Sequence, residues 1–413
     1  MHSSFHTGLL RCGRPIRAAA GIAAASLFAT TGGAEPAAQA LKVAVGFEQA
    51  YDTDVFRMDQ GPLGDRGSAV TTLSAQVSGT LPCGIAASYA PMAAWYWSDS
   101  SEDNMRHVGT FSGKGEVAAA NWEASTQTTY VDGSRQAPAF GLGHSCFTIA
   151  QGRERREQWQ NRSSLAVRVD GPVGFVRAAG AFAGYDLRTV QSAAAGYDNY
   201  VDRYDIQGGV DAGCAGKGRP TFWLGYRHGY QFQDRDGGRP SDRSNHYDRL
   251  VFGVEGQLAP WLKIAVQAGP DYHHYASGSA GHRYLTRLFA DASATLRVAP
   301  GDTVQLTTKH FQWVSSTGFA SYNDVSCQTV WKHDFSQSIS VTIGGKALAG
   351  LYDGIVRKDW IYAGTAGVTW RADAQWEWVF GYMHEIGHDA SALNDPNREW
   401  RRDLTSIGLT WKY

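Results

Sequence analysis

The chain has 413 residues with 38 basic and 39 acidic side chains, so it lacks the positive excess that holds a nucleic acid. No run of about eighteen apolar residues occurs in it, which excludes transmembrane helices. Its 48 Gly, 19 Tyr, 17 Phe and 14 Trp are far from the usage of an ordinary soluble enzyme.

At the N-terminus, Arg11, Arg14 and Arg17 precede the apolar stretch Ala18 to Phe28, which is too short to cross a bilayer as a helix. That order reads as a secretory signal peptide. Cleavage is expected after Gly32-Gly33-Ala34 or after Ala38-Gln39-Ala40, which makes residues 1–34 (alternatively 1–40) a signal and 41–413 one structural unit. Without residues 1–34 the chain keeps 35 basic against 39 acidic side chains, a formal charge of about −4. Cys12 follows Arg11 and lies before the apolar stretch, which does not fit a lipoprotein. Cys83, Cys146, Cys214 and Cys327 are widely spaced with no metal-ligand rhythm, and isolated thiols are expected.

From residue 41 onward the apolar positions alternate in twos, the period of a strand. Leu41, Val43, Val45 and Phe47 share one face, and Lys42, Gly46 and Glu48 the other. Residues 98–162 read less regularly. Glu116 to Val131 is expected as a strand with Ala118, Ala120, Trp122 and Tyr130 on one face, with Pro138 to Ala150 as its hairpin partner. Phe222, Leu224, Tyr226, Tyr230 and Phe232 oppose Thr221, Gly225, Arg227, Gly229 and Gln231. The pattern returns in Leu250/Phe252/Val254, Ile339/Val341/Ile343 and Trp376/Trp378/Phe380/Tyr382. Tight turns at Asp170-Gly171-Pro172, Leu258 to Trp261, Ala299 to Asp302, Asp334 to Gln337 and Ala372 to Ala374 take turns with long polar connections such as Gln233 to Asn245 and Asp389 to Asn397. An open sheet in lipid would leave unpaired edges, so closure is forced. The prediction is an all-β fold, a transmembrane antiparallel up-and-down β-barrel of about 18 strands, or 16 if residues 98–162 form a loop folded into the lumen.

At the far end Ile407, Leu409, Trp411 and Tyr413 alternate with Ser406, Gly408, Thr410 and Lys412. This stripe resembles the C-terminal insertion signal of bacterial outer-membrane barrels, and the chain resembles a porin over nearly its whole mature length, without matching a substrate-defined family. The resemblance implies an outer-membrane location and delivery by the barrel-insertion machinery. It implies membrane lipid and lipopolysaccharide outside, small hydrophilic solutes inside, no cofactor and no catalysis; monomer and homotrimer both stay open.

Among motifs, His384-Glu385-Ile386-Gly387-His388 spells HExxH, which binds zinc only when a helix puts both His on one face. On a strand, His384 and His388 point one way and Glu385 the other, so no metal site is expected. His144 and Ser145 are adjacent and fall on opposite strand faces, which rules them out as a dyad with each other. His273-His274, Arg401-Arg402 and Arg153 to Glu157 are expected at loop tips. An Arg facing lipid at mid-depth costs roughly 2–4 kcal/mol, so the charges set the register. Lys42, Glu48, Arg168, Arg203, Asp205, Arg227, Arg249, Glu255, Lys263, Arg287, Asp291, Lys346, Arg371, Glu377 and Arg402 are read as facing inward. Such an interior should hold water, and its excess of Arg and Lys favours small anions weakly. An outer-membrane hydrolase and a structural or adhesive barrel with a blocked lumen are the competing readings.

Overall fold

A computed structural model describes residues 41–57, 64–81, 84–132, 156–189, 203–214, 220–233, 243–275, 283–314, 321–353, 356, 358–390 and 399–413. Strands β1 (Lys42–Asp52), β2 (Ser68–Thr80), β3 (Ala86–Tyr96), β4 (Asn104–Val117), β5 (Ala120–Asp132) and β6 (Arg156–Asp170) form the first third. They are followed by β7 (Phe175–Thr189), β8 (Arg203–Cys214), β9 (Thr221–Gln233), β10 (Asn245–Ala259), β11 (Leu262–Tyr275) and β12 (Tyr284–Ala299). The last third is β13 (Asp302–Val314), β14 (Ser321–Asp334), β15 (Ile339–Asp353), β16 (Lys358–Arg371), β17 (Trp376–Asp389) and β18 (Trp400–Lys412). Each strand pairs antiparallel with its sequence neighbours, and β1 also pairs with β18, so the 18-stranded sheet closes on itself. Closure gives every strand two partners, which is what a lipid environment requires of backbone N–H and C=O groups.

The strands are 11 to 16 residues long, enough to cross a bilayer at a tilt. At the end where β1 starts and β18 finishes, connections run from 2 residues (118–119) to 6 (215–220). At the other end they run from 4 residues (354–357) to 23 (133–155). Short turns on one side and longer connections on the other are the periplasmic and extracellular ends of an outer-membrane barrel.

The region 98–162 contributes strands, but not with the predicted boundaries. The strand expected over Glu116 to Val131 is broken by a turn at residues 118–119, where Ala118 takes a left-handed φ of 56°. β4 and β5 are the arms of that hairpin, while Pro138 to Ala150 lie outside the described residues. Alanine carries no turn signature, so the break is silent in the sequence. Two expected loop tips are also corrected: His273 and His274 lie inside β11, and Arg401 and Arg402 inside β18. In both cases pairing extends the strands several residues past the apolar alternation.

Side chains divide between two faces by strand parity. Leu224 and Phe252 point outward and are 55% and 57% exposed. The inward face is packed with polar and aromatic groups, and apolar clusters such as Phe175, Trp223, Val251 and Phe289 stiffen the inner wall. Glycine makes room there: a Cβ on Gly253 would collide with the Trp223 ring, and one on Gly229 with Tyr247.

Candidate functional site: the charged lumen

The inward charges come from many strands, and most of the guanidiniums meet a carboxylate on another strand. Asp211 on β8 receives Arg177 of β7 at 2.8 Å and Arg227 of β9 at 2.6 Å. Arg249 of β10 reaches Asp271 of β11 at 2.7 Å, and His273 Nε2 lies 3.1 Å from the same carboxylate. Arg287 pairs with Asp353 at 2.8 Å, Arg371 with Glu377 at 3.1 Å and Arg168 with Asp170 at 2.6 Å. Lys309 sits a looser 3.8 Å from Asp291. Several guanidiniums also lie over aromatic rings, Arg249 at 3.8 Å from the Phe289 centroid and Arg177 at 4.9 Å from that of Trp223, which fixes their planes.

At the seam where the barrel closes, Arg402 of β18 forks onto Asp52 of β1, Nε to Oδ1 at 2.8 Å and Nη2 to Oδ2 at 2.6 Å. Its Nη1 donates to Glu385 at 3.1 Å, and Glu385 also faces Lys346 at 3.1 Å and Arg57 at 3.4 Å. Asp52 and Glu385 are buried, and each meets at least one cation in this patch of the inner wall.

The extracellular end of the β13–β14 hairpin leans into the lumen. Inward-facing Gln231 of β9 donates to the Gln312 carbonyl at 2.9 Å, although β9 and β13 are not neighbours in the sheet. Arg203 of β8 reaches the same hairpin, donating through Nη1 to the Val314 carbonyl at 3.1 Å and to the Tyr322 hydroxyl at 3.0 Å. Gln312 and Val314 are wholly buried as a result. Beneath this bridge lies a cavity of about 370 Å³ lined by Arg162, Arg203, Asp205, Arg249, Asp291 and Lys309 among others. A wider cavity of about 600 Å³, lined by Lys114, Glu116, Glu123, Arg168, Arg177 and Glu255, opens toward the periplasmic end. A third, of about 240 Å³, shares Arg177 with the wider cavity and Arg249 with the inner one.

Of the residues read as inward from the sequence, Arg168, Arg203, Asp205, Arg227, Arg249, Glu255 and Asp291 line these three cavities, while Arg287, Arg371 and Glu377 line none of them. The reading missed the carboxylates that meet the lumen arginines, Asp52, Asp211, Asp271 and Asp353, whose own alternation with neighbouring apolar residues carried the signal. Most of the lumen arginines are thus neutralised pairwise by carboxylates, several of them on another strand.

The outer face carries carboxylates with a recurring arrangement. Asp403 accepts from the Tyr382 hydroxyl at 2.6 Å and faces His384 Nδ1 at 2.8 Å. Asp248 is held likewise by Tyr226 and by His228, the latter at 2.9 Å, and Asp302 by Trp331 Nε1 at 3.0 Å and His333 at 2.8 Å. An aromatic and a His two residues apart on one strand thus clamp an Asp on a neighbouring strand. His388 faces Glu399 at 2.8 Å, so both His of HExxH are outward and occupied, while buried Glu385 is inward. His144 and Ser145 lie outside the described residues. Cys214 and Cys327 are free thiols on the outer face; Cys83 and Cys146 are outside the described residues.

Aromatic side chains cluster on the outer face at both ends, with Trp360 on Tyr362 and His246 on His274 at one, Trp331 on His333 and Trp411 on Tyr413 at the other. Between them runs the apolar band. A closed sheet that is greasy outside and charged inside is stable only with lipid around it. The chain is a bacterial outer-membrane β-barrel. No protein-family model matches its sequence, and no curated protein does either. Solved structures similar to it include a mutant ferric enterobactin receptor of Pseudomonas aeruginosa, 8% identical, covering 93% of this chain and 82% of that one with a TM-score of 0.43. The outer membrane protein OpdK of the same organism is 11% identical, covers 91% of this barrel and 100% of its own chain, and has a TM-score of 0.43. The FrpB iron transporter of Neisseria meningitidis is 8% identical over 90% of this chain and 82% of that one, at a TM-score of 0.46.

Proposed function

We propose that the barrel is a passive diffusion channel for small hydrophilic solutes, weakly selective for anions. The observation that carries this is the chain of lumen cavities along the β6–β10 wall, lined by charged groups at every level. Water and solutes are the fitting contents of such a space, because charged walls cannot line a dry void. Arg162 and Arg203 have no carboxylate partner among the described residues, and their positive field is only partly offset by Asp205, Asp291 and Asp324 across the same cavity, where low-dielectric walls concentrate it. The paired cations contribute little, so selectivity is modest and fades with salt, whose screening length is about 10 Å at 0.1 M. In this reading residues 1–34 are the secretory signal and Ile407, Leu409, Trp411 and Tyr413 form the stripe read by the insertion machinery. The outer aromatic belts then meet membrane lipid and lipopolysaccharide. A zinc hydrolase fits poorly, since His384 and His388 are on the opposite side of the wall from Glu385.

Conductance in a planar bilayer, with reversal potential under a salt gradient, tests the proposal. Stable conductance with a small anion preference is expected, and Arg162→Glu should move the reversal potential toward cations. A barrel that folds but does not conduct overturns the channel; strong cation selectivity overturns the anion preference.

A further inference from the structure

Arg203 differs from the paired arginines of the lumen. Its residue is 3% exposed, yet no carboxylate pairs with it among the described residues. Among the described residues its hydrogen bonds both leave from Nη1, to a backbone carbonyl and a tyrosine hydroxyl, and the buried Nε makes none. Its guanidinium lies over Tyr185 at 4.6 Å and over Trp313 at 5.3 Å. Arg162 joins it from β6, donating to the Tyr185 hydroxyl at 2.9 Å, again with no acid. Two cations thus share one tyrosine at the wall of the 370 Å³ cavity. A buried guanidinium without a counter-charge is costly, and an anion from outside would offset that cost.

The surroundings restrict that anion. Asp205 is held by Gln231 at 3.0 Å and by Tyr247 at 3.1 Å, so it is engaged elsewhere. Asp205 and Asp324 still line the same cavity, and their field opposes a doubly charged guest such as phosphate. Trp313 meets Phe311 edge-on at 5.4 Å and Tyr185 at 6.0 Å, an apolar cage beside the two cations. The volume falls in the range of small-molecule pockets. The planar fork of arginine matches a carboxylate with two parallel hydrogen bonds.

We infer that this chamber is a binding site for a small organic monoanion, a carboxylate on a flat apolar body, seated between Arg162 and Arg203 and against Trp313. The inference rests on the channel reading only for how the anion arrives; the site is complete without conduction.

Titration calorimetry on the full chain refolded in detergent tests it, with benzoate as probe and acetate, benzyl alcohol and inorganic phosphate as comparators. Benzoate should bind saturably and at least tenfold more tightly than each comparator. Arg162→Gln and Arg203→Gln should each weaken it tenfold or more, and Trp313→Leu should reduce the advantage over acetate. Heat-modifiable migration on gels checks folding; should Arg203→Gln misfold, Arg162→Gln on the open side of the cavity carries the test. Phosphate or benzyl alcohol binding as well as benzoate overturns the assignment, as do variants with unchanged affinity. Bilayer recordings on the same preparation separate the two proposals: benzoate binding without conductance refutes the channel and keeps the site. Conductance without benzoate binding refutes the site and keeps the channel.

Discussion

Replacing Arg402 with methionine should unfasten the barrel at its closing seam. Arg402 sits on β18 with 9% of its side chain exposed, and its fork is the pairing partner of Asp52 on β1, whose side chain is 1% exposed. In Arg402→Met the Asp52 carboxylate stays buried with, among the described residues, the Asp54 N–H at 3.2 Å left to bond it. Glu385 loses one of three cations and keeps Lys346 and Arg57. Breaking a buried pair by removing one partner costs about 3–5 kcal/mol. At about 1.4 kcal/mol per tenfold, that raises the unfolding constant from roughly a hundredfold to a few thousandfold. The double variant Arg402→Met with Asp52→Leu removes the orphaned charge and should recover most of the loss, since an apolar pair of similar volume is often neutral or better. Urea unfolding of the barrel in lipid vesicles, followed by tryptophan fluorescence, measures both. The reasoning is refuted if Arg402→Met costs less than about 1 kcal/mol, or if the double variant is as unstable as the single one.

Deleting Tyr413 removes two backbone bonds to Val43, at 2.8 and 3.0 Å, together with the last member of the outward stripe. The assembled fraction in the outer membrane, read by heat-modifiable migration, should fall, and full assembly would count against the insertion-signal role. His384→Ala should leave transport and metal content unchanged; stoichiometric zinc in the purified wild type, lost in the variant, would reverse that view. Gly253→Val forces Trp223 off the neighbouring strand, so a loss of about 1–3 kcal/mol is expected on the same urea assay, and an unchanged midpoint would contradict the packing.

The sequence alone determined the class of fold, because a strand has a period of two and lipid tolerates no unpaired backbone. Which face of β9 looks inward followed from one residue: Arg227 cannot share lipid with Tyr226. The separation of His384 from Glu385 was legible for the same reason, since adjacent strand residues diverge whatever the rest of the chain does. Missed boundaries lay where local chemistry was silent, as at Ala118, which accepts a left-handed φ of 56° without being glycine or asparagine.

Only the tertiary structure decided what each charge meets. Arg402 and Asp52 are 350 residues apart in sequence and become partners when β18 closes on β1. Periodicity tells which way a side chain points and nothing about which strand stands opposite or in which register. The inward lean of the β13–β14 end is of the same kind, a contact across the lumen with no local pattern to announce it. That is why the sequence yielded a row of inward arginines, while closure of the sheet decided that Arg227, Arg249 and Arg287 are paired and that Arg203, buried and without an acid among the described residues, faces a cavity beside Arg162.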